Sequence, residues 1–425
     1  MTLATLLKAH GYRTAAFVGG YVLDRRFGLN QGFDVYDSSF DLRNQAGRDP
    51  GDIKRLGQDV VRAATLWLEA ISDHPFFLFL HLYDLHTPYN FPSTFRPRNG
   101  ESGYDAEVRY VDQVLGSFWE LLRQQHLLDK SLVVLTSDHG EGLDEHGETA
   151  HSYFIYQTTL WVPLIIHWPA GAASFPPRVD TPASLLDVAP TILQFAGVPR
   201  PSQFQGKGLI DLLQPNPGQA QREIYSESLY AHYHFACSPL MSLRVGRYKY
   251  IEAPKPELYD LAVDPGEKHN LYGERKSIAL ALRERLLKLH SRGAPVPSPA
   301  GRLLDADAIS RLMSLGYVPV SEPHSAPSST EADPKDRLSS YEEFGAARAL
   351  ASSGRIEQSN SSLERLLTTY PELEEARMTL GLDYQRLGEH ARAAPSGWRR
   401  PFGSAISQVP AETRALIAAS SARRP

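Results

Sequence analysis

The chain has 425 residues, a net charge of −5 and a single cysteine, Cys237. That length suits roughly two or three domains with a sizeable core. The small net charge gives no basic surface for nucleic acid and no polybasic membrane patch. One cysteine excludes an internal disulfide framework and a cysteine-rich zinc site.

No apolar run approaches the ~20 residues of a membrane span. The opening "MTLATLLKAHGYRTAAFVGG" lacks the basic start and unbroken apolar core of a signal peptide. It reads as the middle of a domain: Thr2 caps a short helix with Leu3, Leu6 and Leu7 inward, Gly11 stops it, and "TAAFV" is a strand. From Met1 to about Trp168, strand and helix patterns alternate. "FFLFLHL" (76–82), "SLVVLT" (131–136) and "VPLIIHW" (162–168) are short apolar runs, as expected of strands buried on both faces. Val61, Ala64, Leu68 and Ile71 form one helical stripe; Val108, Val111, Leu115, Phe118 and Leu122 form another. The alternation predicts an α/β fold, a mostly parallel sheet sandwiched by helices, with its ligand site at the carboxyl ends of the strands. "SLLDVAPTILQFAG" (184–197) is a further helix ended by Gly197.

A small α+β module follows. "LRVGRYKYIEA" and "ELYDLAVDPGEKHNL" give a strand, a turn and a loop with aromatic anchors, and "ERKSIALALRERLLKLH" a helix. The Pro- and Ser-rich stretches beyond it read as linkers. Gly354 and Gly388 lie 34 residues apart, each closing a helix-sized segment, a period that resembles a tetratricopeptide repeat. The second copy breaks off into a segment carrying Pro395, Pro401 and Pro410, as a decayed or frameshifted end would. The expected organisation is an α/β core over 1–220, a subdomain over 221–292, a linker over 293–337, an all-α repeat-like tail over 338–394 and an irregular end over 395–425.

The chemistry concentrates in "TSDHGE", 136–141. Neighbouring strand residues point to opposite faces, so Asp138 and His139 share a site only if the backbone turns, and Gly140 allows the turn. A carboxylate beside an imidazole makes half a metal site. The plain alternative is that Asp138 caps a helix and His139 bonds locally. The surroundings favour the site. "LYDLHTPY" sets His86 just after one strand, and "EHGETAHSYF" brings His146 and His151 shortly after Asp138 and His139. His86, His139 and His151, with Asp138, thus converge on one sheet edge.

Five blocks in order, "PFFLFLHLYDLHTPY", "YDAEVRYVDQVLGSFWELL", "LLDKSLVVLTSDHGEGLDEHGE", "TTLWVPLIIHWP" and "ELYDLAVDPGEKHN", resemble the sulfatase family of the alkaline phosphatase superfamily, over about residues 2 to 290. The resemblance implies a metal-dependent hydrolase of sulfate or phosphate monoesters. It implies metal ligands at Asp138 and His139, with calcium ahead of magnesium, manganese or zinc. It also implies that His86, in the H-x-P-Y position, contacts the transferred group and that His151 stands near the leaving oxygen. The expected partners are a small-molecule sulfate or phosphate ester and a protein bound by the helical tail, with no nucleic acid. Family members are commonly exported or periplasmic.

The family's first block supplies an opening strand, two acidic ligands and the nucleophile, a formylglycine in sulfatases and Ser or Thr in related phosphoester enzymes and phosphoglycerol transferases. No such block precedes "TLATLLKAHGYRTAAFVGG", so the chain is expected to be N-terminally truncated and to show little or no turnover as written. "CSPLM" does not substitute, because Leu240 and Met241 stand where Ser and Arg belong; Cys237 reads as a small buried residue. Glu141, Asp144, Glu145 and Glu148 read as a solvated loop, with Glu141 also suited to support the ion. Arg247 and Lys249 read as a surface strand, and Asp264-Pro265-Gly266 as a turn pinning the subdomain to the core. Two other functions stay open: a phosphoester hydrolase or phosphoglycerol-type transferase with a Ser or Thr nucleophile, and an inactive remnant that binds partners through its tail.

Overall fold

The computed structural model describes residues 1–42, 50–71, 74–172, 175–213, 222–292 and 331–393. The chain divides into two compact units, Met1–Glu342 and Glu343–Pro425. Most of the expected linker and the whole of the irregular end lie outside the described residues.

The first unit begins with α1 (Leu3–Ala9), whose first turn is closed by Thr2 in a reciprocal cap with Thr5. Leu7 packs against Leu193 and Val198 of the segment around α5 (Val188–Phe195), and Gly197 ends that helix in the left-handed conformation. β1 (Arg13–Val18) is the buried centre of a parallel sheet, with β2 (Val35–Asp37) on one side and β3 (Phe76–His81) on the other. α2 (Gly57–Ala70) makes the crossover to β3 and lays Val60 and Ala64 on Ala15 and Phe17. α3 (Gly103–Gln124) packs Tyr110, Val111 and Val114 against Val61.

β4 (Val133–Thr136) pairs only with β5 (Leu164–His167) among the described residues, and it does so antiparallel. The sheet architecture is therefore mixed, parallel over β1–β3 and antiparallel over β4–β5, rather than mostly parallel. β3, β4 and β5 are half-buried, not buried on both faces as their apolar runs predict. The reason is pairing: among the described residues β3 and β4 each bond a strand on one side alone, and Phe79 and Ile165 stand 41% and 62% exposed. Val108 is also exposed, because α3 turns Ala106, Glu107 and Tyr110 inward instead.

The subdomain is an antiparallel sheet in the order β6 (Glu223–Ser228), β7 (Leu240–Val245), β8 (Tyr248–Glu252), β9 (Glu257–Asp260). α7 (Lys276–Arg292) covers it, burying Ala279, Leu282 and Leu286 against Leu243, Tyr250 and Leu258. Lys249 is not on a surface strand. Its ammonium is 1% exposed and donates to the Ile155 carbonyl at 2.6 Å and to Glu267 at 2.7 Å. Glu267 also accepts the Gln157 N–H, so the "DPGEK" turn clasps the segment that leads into β5. Arg247 fits the surface expectation better, pairing with Asp260 while half-exposed.

The described helices of the C-terminal part are α8 (Leu338–Ser352), α9 (Ile356–Thr369), α10 (Glu374–Arg386) and α11 (His390–Ala393). Gly354 and Gly388 sit in left-handed turns after α8 and α10. No described helix is long and apolar enough to cross a membrane.

Breaking a buried ion pair from one side leaves an uncompensated charge and costs about 3–5 kcal/mol. Lys249→Met is expected to destabilise the first unit on that scale in chemical unfolding. Lys249→Met with Glu267→Leu together should recover much of the loss.

Candidate active site

Three stretches of the two loops that follow β3 and β4 build one cluster of rings. The first leaves β3 at His81 and reaches His86, whose Nδ1 donates to the Thr87 carbonyl at 2.5 Å. The second leaves β4 at Thr136 and carries Asp138 and His139, with the His139 Nδ1 donating to the Gly140 carbonyl at 2.8 Å. A carbonyl only accepts, so in both neutral rings Nδ1 holds the proton and Nε2 carries the lone pair. The third stretch returns His151, whose Nδ1 donates to Glu141 Oε1 at 3.2 Å.

The return depends on two glycines. A Cβ on Gly140 would lie 2.2 Å from the Thr158 carbonyl oxygen, and one on Gly142 would lie 2.5 Å from that of Glu148. The Gly140 and Gly142 N–H groups donate to Thr159 and Ala150 at 2.8 and 2.6 Å. Gly140 is needed for this close approach of two backbones, not for a left-handed turn; the left-handed residues lie further on, at Asp144, His146 and Gly147.

The loop so folded stacks His139 on His151, with ring centres 3.9 Å apart and planes 26° apart. His151 meets His86 edge to face at 5.2 Å, and His86 stacks on Tyr83 at 4.4 Å. All three predicted histidines thus come together, with Asp138 Oδ1 3.8 Å from His139 Nε2. His146 does not join them; it stacks on Tyr156 at 3.7 Å and faces the Gly266 carbonyl.

The acids of this loop divide. Asp144 and Glu145 are solvated as expected, whereas Glu141 is sequestered on His151 and Glu148 is 1% exposed. Glu148 accepts the Tyr153 N–H at 2.8 Å, and burial pushes its carboxyl up to about 7. Burial pushes His86 down to about 4, with the neighbouring His151 acting in the same direction. Cys237 is buried away from these rings, and burial raises its thiol to about 12.

Two residues were missed at the sequence level. His81 ends β3 with its ring between Phe79 and Tyr83, and its Nδ1 is buried with no partner among the described residues. Burial lowers its pKa, while Asp138 pulls upward. The alternation of rings at 79, 81 and 83 was the available signal. Lys54 lies in a segment with no motif, yet its ammonium donates to the carbonyl of His86 itself.

Residues 1–198 match the family model for sulfatases. Residues 145–292 match the model for the C-terminal region of N-sulphoglucosamine sulphohydrolase, which covers the antiparallel sheet and α7. Among curated sulfatases, arylsulfatase K of Rattus norvegicus is 28% identical over 260 residues, 56% of this chain and 45% of the relative. The N-acetylglucosamine-6-O-sulfatase of Bacteroides thetaiotaomicron is 32% identical over 183 residues, 40% of this chain and 32% of the relative. The chain thus spans less than half the length of these relatives. The solved phosphonate monoester hydrolase of Agrobacterium radiobacter superposes with a TM-score of 0.54 at 18% identity, covering 69% of this chain and 80% of that one. A second solved chain, in complex with D-glucosamine-2-N,6-O-disulfate, superposes with a TM-score of 0.51 at 20% identity, covering 70% of this chain and 84% of that one. These likenesses establish the sulfatase-type α/β fold. Sulfatases are sulfuric ester hydrolases, typically dependent on a divalent ion, usually calcium.

A base whose pKa is lowered by folding binds fewer protons when folded than when unfolded. Its stabilising contribution is therefore complete above the unfolded value and lost as pH falls toward the folded one. His86 spans this window from an ordinary value of 6.5 down to about 4. Wild type is expected to lose more thermal stability than His86→Gln when acidified across that window. Parallel losses in the two proteins would contradict it.

Proposed function

We propose that this chain carries the anion-handling part of a sulfate monoester hydrolase. His86 and His151 face the ester, and Asp138 and His139 hold a divalent ion. The observation that carries this reading is the single stack of His139, His151 and His86 past the ends of β3 and β4, in a chain whose first 198 residues match the sulfatase model.

The donors suit the ion in kind. A carboxylate oxygen and a free imidazole Nε2 lie 3.8 Å apart and accept ions from calcium to zinc. They supply part of a shell, since no group of three or more His, Cys, Asp or Glu able to hold an ion occurs among the described residues. When bound, the divalent ion neutralises charge on the ester oxygens.

The chain's own residues do the rest. His151 donates its Nδ1 proton to Glu141, so its Nε2 must also take up a proton, making the ring an imidazolium beside that carboxylate, before it can donate to the leaving oxygen. His86 is held through Nδ1 as well, so its Nε2 must take up a proton before it donates to a sulfate oxygen. Sulfate binding is therefore coupled to proton uptake at His86, and affinity rises as pH falls toward the His86 value of about 4. Neither Ser137, whose hydroxyl donates to the His139 carbonyl, nor buried Cys237 is assigned the nucleophile. The segment 338–394 is read as tetratricopeptide-like helices that bind a protein partner, on the strength of the 34-residue spacing of Gly354 and Gly388 and their shared left-handed turns.

The test is a pair of titrations on the full chain. His86→Ala should weaken sulfate binding about tenfold or more, the scale of one charge-assisted hydrogen bond, with calcium affinity unchanged. Asp138→Asn should weaken calcium, manganese and zinc binding. Unchanged sulfate affinity in His86→Ala would overturn the division of roles, and aryl sulfate against aryl phosphate turnover separates the two ester classes.

A further inference from the structure

Lys54 does not belong to the ring cluster, yet the loop that carries His86 is wound around it. Its Nζ donates to the carbonyls of Asp84, His86 and Pro88 at 3.2, 3.1 and 2.8 Å. These are alternate residues of one short loop, and together they use all three ammonium protons. The lysine side chain is 6% exposed, with Glu107 Oε1 3.9 Å from its nitrogen. Three carbonyl dipoles aimed at one buried point repel each other unless a cation sits there.

The surroundings fix both ends of this arrangement. Lys54 bridges to Gly20, just past β1, and Arg55 N–H donates to the Gly19 carbonyl. Asp84 accepts the Gly57 N–H at the start of α2, and Glu107 of α3 accepts the Asn90 N–H. Asp84 Oδ2 and Glu107 Oε2 are buried without other partners among the described residues, so the ammonium is the compensating charge for both.

We propose that Lys54 is a positioning residue for the site, the internal cation around which the 84–88 loop closes and which sets the His86 ring against His151. The functional consequence rests on the anion-binding role read for His86. Lys54 acts through the loop and does not touch the ester. Burial lowers its pKa, and the nearby Glu107 and Asp84 oppose that shift.

The experiment uses the full chain with isotope-labelled histidine rings, wild type against Lys54→Ala and Lys54→Met, read by NMR and by sulfate titration. In Lys54→Ala, the His86 and His151 ring resonances should move and sulfate affinity should fall about tenfold or more. Methylammonium, which can enter the emptied carbonyl cage, should restore both. Tetramethylammonium, too large and without N–H donors, should not. In Lys54→Met the uncharged stem fills the channel, the resonances should move, and methylammonium should have no effect. Unmoved rings in either variant, or moved rings in Lys54→Ala that methylammonium leaves displaced, would overturn the proposal. If Lys54→Ala does not fold, the ring positions in Lys54→Met decide. A wild type that binds no sulfate defeats the functional reading alone, and the ring resonances still decide the role of Lys54.

Discussion

Everything at the candidate site depends on a steric constraint between backbones. The chain leaves β4, runs through Asp138 and His139, and must return within a dozen residues to stack His151 on His139. Gly140 and Gly142 let it do so, because each lies where a side chain would strike the carbonyl of a neighbouring segment. The same approach lets their N–H groups donate to Thr159 and Ala150. The return is stiffened from within by Glu148, whose carboxylate takes the backbone donors of Tyr153 and Phe154. From outside, Lys249 and Glu267 hold Ile155 and Gln157 from the antiparallel sheet. The subdomain thereby fixes the exit of the loop that carries Asp138, His139 and His151.

Much of this was legible in the residues themselves. The strand runs, both amphipathic helices, the Thr2 cap and the Gly197 stop appear near their expected positions, because apolar period and capping are local signals. His86 and His139 were legible because each follows a strand end, and His151 because it lies further along the His139 loop, where topology brings side chains together. What was not legible depends on pairing across long distances. The direction of β4–β5 and the half-exposure of β3 follow from which strand lies beside which, and no local pattern encodes that. Lys249 and Glu148 look like surface charges in the sequence and are buried, since their partners lie far along the chain or on backbone atoms.

The buried charges share one logic. Lys54 serves Asp84 and Glu107, Lys249 serves Glu267, and Glu141 serves His151. Each sits behind a loop rather than in the apolar core. Burying such pairs adds little net stability, but it makes the loop conformation costly to leave. That suits a site that needs fixed ring geometry more than it needs extra stability.

The central claim is that His86 and His151 receive a tetrahedral oxyanion beside an ion held by Asp138 and His139. The most direct measurement is anomalous diffraction from crystals of the chain soaked with manganese and tungstate. The account predicts a manganese peak at Asp138 and His139, and a tungsten peak within hydrogen-bond reach of the Nε2 atoms of His86 and His151. A tungsten peak elsewhere, with both rings left without an anion, would contradict it.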